Sequence, residues 1–237
     1  MVIARVLKSD SWYRGYMACM FFMGFGNLML HPILAIALTD EFNVGYQTGI
    51  AIATVIPLLC MTFAIPFWSR RLQHNHVIHY RAVHAWSFAV VSTLVLMGIA
   101  LHNITFLYLA AIATGVGWGG GALAWSLGHQ HFAPRDRDAE YMGVHITLTG
   151  IRGVIGPILG VQLYMWLSVS GMQTQAFLIC FGICLMMNAI GASGFVLLSR
   201  FWSTSERIRK ADELAQEEVP VEQQESLCTA GSSATAQ

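Results

Sequence analysis

One apolar stretch of this 237-residue sequence, Tyr141–Val169, carries a single arginine, Arg152, close to its middle. His145, Thr149, Arg152 and Gly156 follow one another at steps of four, three and four, so on a helix they share a face. An ionised arginine at the centre of a membrane helix costs roughly 2.5–3.5 kcal/mol on insertion scales, and something has to compensate it. All thirteen acidic residues fall in predicted loops or termini, so no carboxylate of this chain is expected at that depth. A guanidinium matches the geometry of a carboxylate or phosphate. One reading is therefore that Arg152 holds the anionic group of a ligand, with His145 and Thr149 beside it. The other is that it bonds carbonyls released around Gly156-Pro157, or meets a carboxylate of a second helical bundle.

A second polar stripe lies earlier, where Gly24, Asn27 and His31 share a helical face. Asn27 is a candidate ligand contact. His31, a side chain that titrates near neutral pH, is a candidate for proton coupling. Interhelical hydrogen bonding is the plainer role for both. Trp118 and Trp125, seven residues apart, present two indoles on one side of a helix; Trp118 is the candidate for stacking on an organic ligand, whereas Trp125 suits an interfacial anchor. His74, His76, His79 and His84, with His129 and His131, include good transition-metal ligands, but they sit on separate loops without a tight ligand spacing, so no metal site is assigned. An acidic pair, His-Glu-x-x-His and Gly-x-Ser-x-Gly are absent, so the sequence calls for no catalytic residue and no cofactor. The five cysteines have no zinc or redox spacing and read as buried thiols.

These residues are positioned by elements suited to lipid. The chain is 55% apolar and only 11% charged, where soluble domains carry roughly a quarter charged residues. Six runs are long enough to cross a bilayer core of about 30 Å: 16–38, 45–68, 82–101, 104–127, 141–169 and 175–198. Each must be a helix, since in hydrocarbon the backbone has to satisfy its own polar groups. Twelve of the thirteen basic residues, Arg81 among them, fall before the first run, after the last, or in the second and fourth loops. By the positive-inside bias both termini are cytoplasmic. The expected organisation is a cytoplasmic N-terminus over 1–13, a six-helix bundle over 14–200 and a cytoplasmic tail over 201–237 too polar to order itself, save that 205–218 suits an extension of the last helix. The first apolar run is too long for a signal h-region, so no cleaved leader is expected.

Internal duplication is visible as short matches. Gly24-Phe-Gly26 in the first run pairs with Gly115-Val-Gly117 in the fourth, and Val55-Ile-Pro57 in the second with Val154-Ile-Gly-Pro157 in the fifth. That order suits two three-helix repeats, and an odd number of spans per repeat inverts the second copy.

The fifth run resembles the Gly-rich motif of the fifth helix in many antiporters of the major facilitator superfamily: Gly143, Gly156, Pro157 and Gly160 match it, while Arg152 and Val161 stand where that motif has glycine. Gly153, Gly156 and Gly160 allow close approach of a neighbouring helix, and Gly-Pro permits a bend, so this set with Gly143 reads as a packing and gating face. The loop Pro134-Arg-Asp-Arg137-Asp-Ala-Glu140-Tyr-Met-Gly143 is similar to the family's loop before that helix. Trp68-Ser-Arg70-Arg71 resembles only the basic end of the family's second-loop signature, a departure more typical of C-terminal halves.

The resemblance implies an all-α membrane protein with a 3+3 inverted-repeat half bundle, in which the first and fourth helices line a central cavity. It implies a secondary transporter for a small organic solute, anionic if Arg152 binds it, completed by a second six-helix bundle from a homodimer partner or a separate chain. The expected location is the bacterial inner membrane, with lipid and solute as partners and no nucleic acid. The competing reading is a non-transporting assembly or regulatory protein that retains the bundle.

Overall fold

The computed structural model describes residues 2–169 and 171–217. Its elements are α1 (Val2–Ser9), α2 (Ser11–Asp40), α3 (Tyr46–Ile50), α4 (Ile56–Gln73), α5 (Val77–His84), α6 (Trp86–Ala100), α7 (Ile104–Leu127), α8 (Asp138–Ser168) and α9 (Gln173–Glu217). A π-helical turn, Ala51–Val55, joins α3 to α4, and 3₁₀ turns occupy Gly128–His131 and Arg135–Arg137. No strand occurs among the described residues. Six stretches are long and apolar enough to cross a membrane: Ser11–Asp40, Tyr46–Gln73, Val77–Ala100, Ile104–His131, Arg135–Ser168 and Gln173–Glu206. These are spans one to six, in the number and order expected. The chain up to Leu198 forms one compact unit; the part from Ser199 belongs to a second, helical as far as Glu217. Residues 218–237 of the expected tail lie outside the described residues.

The helices start and stop for local reasons. Asp10 accepts a hydrogen bond from the Tyr13 amide (2.8 Å) and caps α2, and Asn103 accepts from the Thr105 amide (2.9 Å) and caps α7. At the end opposite the basic loops, each connection turns through a left-handed residue: Asn43 (φ 47°), His102 (φ 47°) and Gly171 (φ 74°). One difference from expectation concerns the start of span three. The structure begins it at Val77 rather than at 82, because His76 accepts a hydrogen bond from the Ile78 amide and sets a helical start five residues earlier. Arg81, assigned above to the loop, is therefore a helical residue only 1% exposed.

Span packing follows the proposed repeat. Spans one and five pack extensively, as do spans two and four. If spans one to three repeat as four to six, these two contacts are images of each other. In the first pair, Gly156 and Gly160 of α8 lie on Phe25, Leu28, Met29 and Ile33 of α2. In the second, Gly115 and Gly119 of α7 lie on Pro57, Cys60, Met61 and Ala64 of α4. Spans three and four pack through Gly98 on Leu107 and Gly117 on Ser87; spans six and one pack through Gly191 on Met23 and Gly26 on Met187. Spans three and six meet through a buried hydrogen bond, Asn188 Nδ2 donating to Ser92 Oγ at 2.8 Å. The arrangement fits a 3+3 repeat. The related prolines behave differently, however: α8 runs unbroken through Pro157, while the backbone adjustment falls before Pro57 as the π turn.

The apolar core forms two clusters. One, towards the basic loops, gathers Tyr13, Tyr16, Trp68, Phe88, Tyr141 and Phe195; the other gathers Ile33, Val95, Leu107, Tyr164, Phe177 and Phe181. The basic end is closed by Tyr13, whose hydroxyl donates to the Tyr141 carbonyl (2.7 Å), and by Tyr141, whose hydroxyl donates to Asp10 Oδ2 (3.1 Å). A Cβ on Gly115 would collide with the Pro57 carbonyl and Cys60, which cannot both retreat. Gly115→Ala is therefore expected to lower stability by about 1–3 kcal/mol, read as a lower midpoint of thermal unfolding in detergent, whereas Gly182→Ala, whose Cβ meets nothing within 4 Å, should leave the midpoint within about 0.5 kcal/mol of the parent.

Candidate ligand cavity

Along α2 the two core clusters separate at Gly24, Asn27 and Leu28, and there a cavity of about 420 Å³ opens. That volume lies within the roughly 300–1,000 Å³ of small-molecule sites. Its wall is mostly apolar, with aromatic faces from Phe88, Trp118 and Trp125 and polar groups from Asn27, Ser126 and Thr149. Two arginines line it, Arg81 and Arg152, and among the described residues no carboxylate does.

Arg152 reaches the cavity from α8 and is 6% exposed. Its Nη1 donates to the carbonyl of Met20 and its Nη2 to Thr149 Oγ1 (3.2 Å), while Nε has no partner. The carbonyl belongs to span one, not to the neighbourhood of Gly156-Pro157 that the sequence suggested. Gly24 is the reason. It stands one turn after Met20, and a Cβ there would lie on the Arg152 guanidinium itself. Glycine leaves the second lone pair of the Met20 carbonyl uncovered for a donor from the next helix.

The same device recurs on α7. His84 Nε2 bonds the Gly117 carbonyl (2.9 Å), Tyr80 Oη donates to the Gly120 carbonyl (2.9 Å) and Trp68 Nε1 donates to the Val116 carbonyl (2.9 Å). A Cβ on Gly120 would meet the His84 ring and the Tyr80 hydroxyl. With Nε2 committed to a carbonyl acceptor, the His84 ring carries its proton there, and its Nδ1 accepts from Arg81 Nη1 at 3.1 Å. The Tyr80 ring stacks on His84 at 5.4 Å, and Trp68 at 4.8 Å and Phe88 at 5.5 Å meet it edge-on, so the imidazole is held on three sides.

Of the residues expected to form the site, Arg152, Thr149, Asn27 and Trp118 come together around the cavity. His145 does not line it: the side chain is fully buried behind it, edge-on to Trp125 at 5.6 Å, with neither ring nitrogen partnered. His31 also lies off the cavity, 5.3 Å from the Trp118 ring, its Nε2 buried without a partner. Trp125, read above as an interfacial anchor, is a wall of the cavity instead. Gly156 and Gly160 pack on span one, while Gly143 and Gly153 meet nothing within 4 Å in this bundle. The residue that sequence reasoning missed is Arg81. The signal for it was the apolar periodicity of Val77, Ile78 and Tyr80, which carries the helix back past the polar loop.

The loop histidines separate by position. His76 contacts His131 (ring centres 5.0 Å apart), His129 faces Asp138 (3.2 Å) and His84 holds Arg81. Among the described residues no group of three or more histidine, cysteine, aspartate or glutamate side chains is placed to hold a metal.

The chain matches the family model described as Major Facilitator Superfamily over residues 16–231. No curated protein and no solved structure matches it.

If the Gly24 gap exists to seat Arg152, the two positions are coupled. Gly24→Ala should destabilise the parent, and the same change in an Arg152→Gln background should cost at least about 0.5 kcal/mol less, measured by a double-mutant cycle of unfolding in detergent.

Proposed function

Because the chain belongs to the major facilitator superfamily, a family of secondary transporters embedded as multi-pass helices in the membrane, we propose that it moves a small organic anion across the bilayer by rocking against a second six-helix bundle. The observation that carries this reading is the cavity itself: an aromatic and apolar wall with Arg152 buried in it and no carboxylate beside it. The cost of burying an unpaired guanidinium, roughly 2.5–3.5 kcal/mol, is offset in part by its bonds to Met20 and Thr149. An anionic solute in the cavity offsets more. Thr149 orients the guanidinium, Asn27 offers a donor and acceptor to the solute, and Trp118 with Trp125 offers faces for its apolar body. His145 and His31, set off the wall, support the site from behind; His31, the candidate for proton coupling, sits against Trp118 and would sense the solute through that ring.

The second bundle is supported by coverage. Spans two and five have 17% and 28% of their apolar windows buried, against 44–50% in the other four. They carry Gly49 on span two and Gly143, Gly150 and Gly153 on span five, each with free space where a Cβ would stand. Lipid does not require glycine, whereas a closely approaching helix does. A homodimer partner or a separate six-span chain supplies that helix pair, and the unpaired glycines of span five become the gating face. The basic loops, with Arg70, Arg71, Arg135 and Arg137 at one end, support the reading of both termini as cytoplasmic by the positive-inside bias, and the setting we propose is a bacterial inner membrane.

Arg152→Ala should abolish uptake of organic anions into proteoliposomes or cells while the protein still inserts and remains folded; Arg152→Lys, a point charge without the guanidinium fork, should restore little. Retained uptake in Arg152→Ala would remove the anion from the reading. The mass of the detergent-solubilised complex, corrected for bound detergent, should correspond to twelve spans, and a stable monomer would favour a non-transporting assembly role.

A further inference from the structure

We propose that Arg81 is a second anion-binding residue of the same cavity, so that the solute carries two negative charges, as a phosphate monoester or a dicarboxylate does. The proposal rests on the reading of the cavity as a solute site and names the class of solute.

Arg81 enters the cavity from span three, at a different point on the wall from Arg152 on span five, and it is the more deeply buried of the two. One of its donors, Nη1, is committed to His84, and its Nε has no partner. His84 holds the guanidinium without cancelling its charge, because a neutral imidazole is the acceptor. The stack of Tyr80 and Trp68 around that ring fixes the imidazole, and through it the arginine. Arg81 is thus preorganised as a cation facing an apolar space.

Three carboxylates at the basic end have partners of their own. Asp10 is taken by the Tyr13 amide and the Tyr141 hydroxyl, Asp138 by His129 and Glu140 by Arg137. Two cations therefore line one cavity of low polarity, and among the described residues no carboxylate lines it. They repel each other, and each carries its own desolvation cost. A monoanion would compensate one and leave the other buried and unpaired. A dianion compensates both and turns their repulsion into two attractions, each a charge-assisted hydrogen bond of the kind that guanidinium makes best with carboxylate or phosphate. The aromatic wall then takes the organic body.

The test uses the full chain in detergent and two probes that share a ring and differ in charge: phenyl phosphate and benzoate, titrated by calorimetry at a pH of about 8, where a phosphate monoester carries close to two charges. Phenyl phosphate should bind about tenfold tighter or more, a difference of roughly 1.4 kcal/mol. Arg81→Gln should reduce that preference to about threefold or less while benzoate affinity changes little, and Arg152→Gln should weaken both probes. Where Arg81→Gln does not yield folded protein, Arg81→Met serves: the apolar stem remains, the charge is lost, and the preference should fall to about threefold or less.

Equal affinity for the two probes, or a preference that survives either Arg81 variant, overturns the dianion. In that case benzoate binding that is lost in Arg152→Gln leaves the proposed anion transport standing, whereas failure of both probes to bind removes both readings. Displacement of phenyl phosphate by short-chain phosphatidic acid at lower concentration than by inorganic phosphate would assign the site to a lipid headgroup and overturn the solute.

Discussion

In a hydrocarbon environment a buried donor has to find its acceptor inside the protein, and here the acceptors are helix carbonyls left uncovered by glycine. A helical carbonyl already receives one bond from the amide four residues on, and its second lone pair is normally shielded by side chains. Gly24 removes that shield above Met20, and Arg152 occupies the gap. Gly120 removes it on α7, and Tyr80 and His84 bond the carbonyls there. The same glycines allow the helices to approach closely enough for the bonds to form, so packing and polar satisfaction are one requirement met by one residue type.

That requirement explains the division of labour among the spans. Spans one and four carry the glycines that seat side chains from spans five, three and two, and so become the central elements of the bundle. Spans two and five each press one face against these and leave the other open. The two tight contacts, one with five and two with four, are images of each other under the three-helix repeat. The spans are covered unevenly as a result, and the open faces of two and five are the ones the proposed second bundle would cover.

The cavity sits where the two apolar core clusters part, and its electrostatic character follows from what that position excludes. Carboxylates are confined to the ends of the spans, where Asp10, Glu140 and Asp138 tie the basic end together and Glu41 accepts from Thr174 (2.9 Å) at the other. The arginines, with longer side chains and an affinity for carbonyl acceptors, are tolerated inside. The cavity is left with positive charge and aromatic surface, and the proposed preference for an anion rests on that imbalance rather than on a single residue.

Hydrophobic run length and charge placement were enough, read along the chain, to determine six helical spans, their order, the polar face of Arg152 and Thr149 and the pairing of Trp118 with Trp125, because helix formation in lipid and side-chain periodicity are local properties. Short internal matches suggested the repeat, and the family resemblance implied the cavity. Which polar residues share a space was decided by the tertiary structure. His145 lies on the same helical face as Arg152 yet falls behind the wall, since a face some 11 residues long meets more than one neighbour. Arg81 looked like a loop residue because it follows a run of histidines, and only the packing of Tyr80 and His84 on the glycines of α7 drew it inside. Local sequence determines where a side chain leaves its own helix; what stands opposite it depends on residues dozens of positions away, brought close by the glycines that let the helices touch.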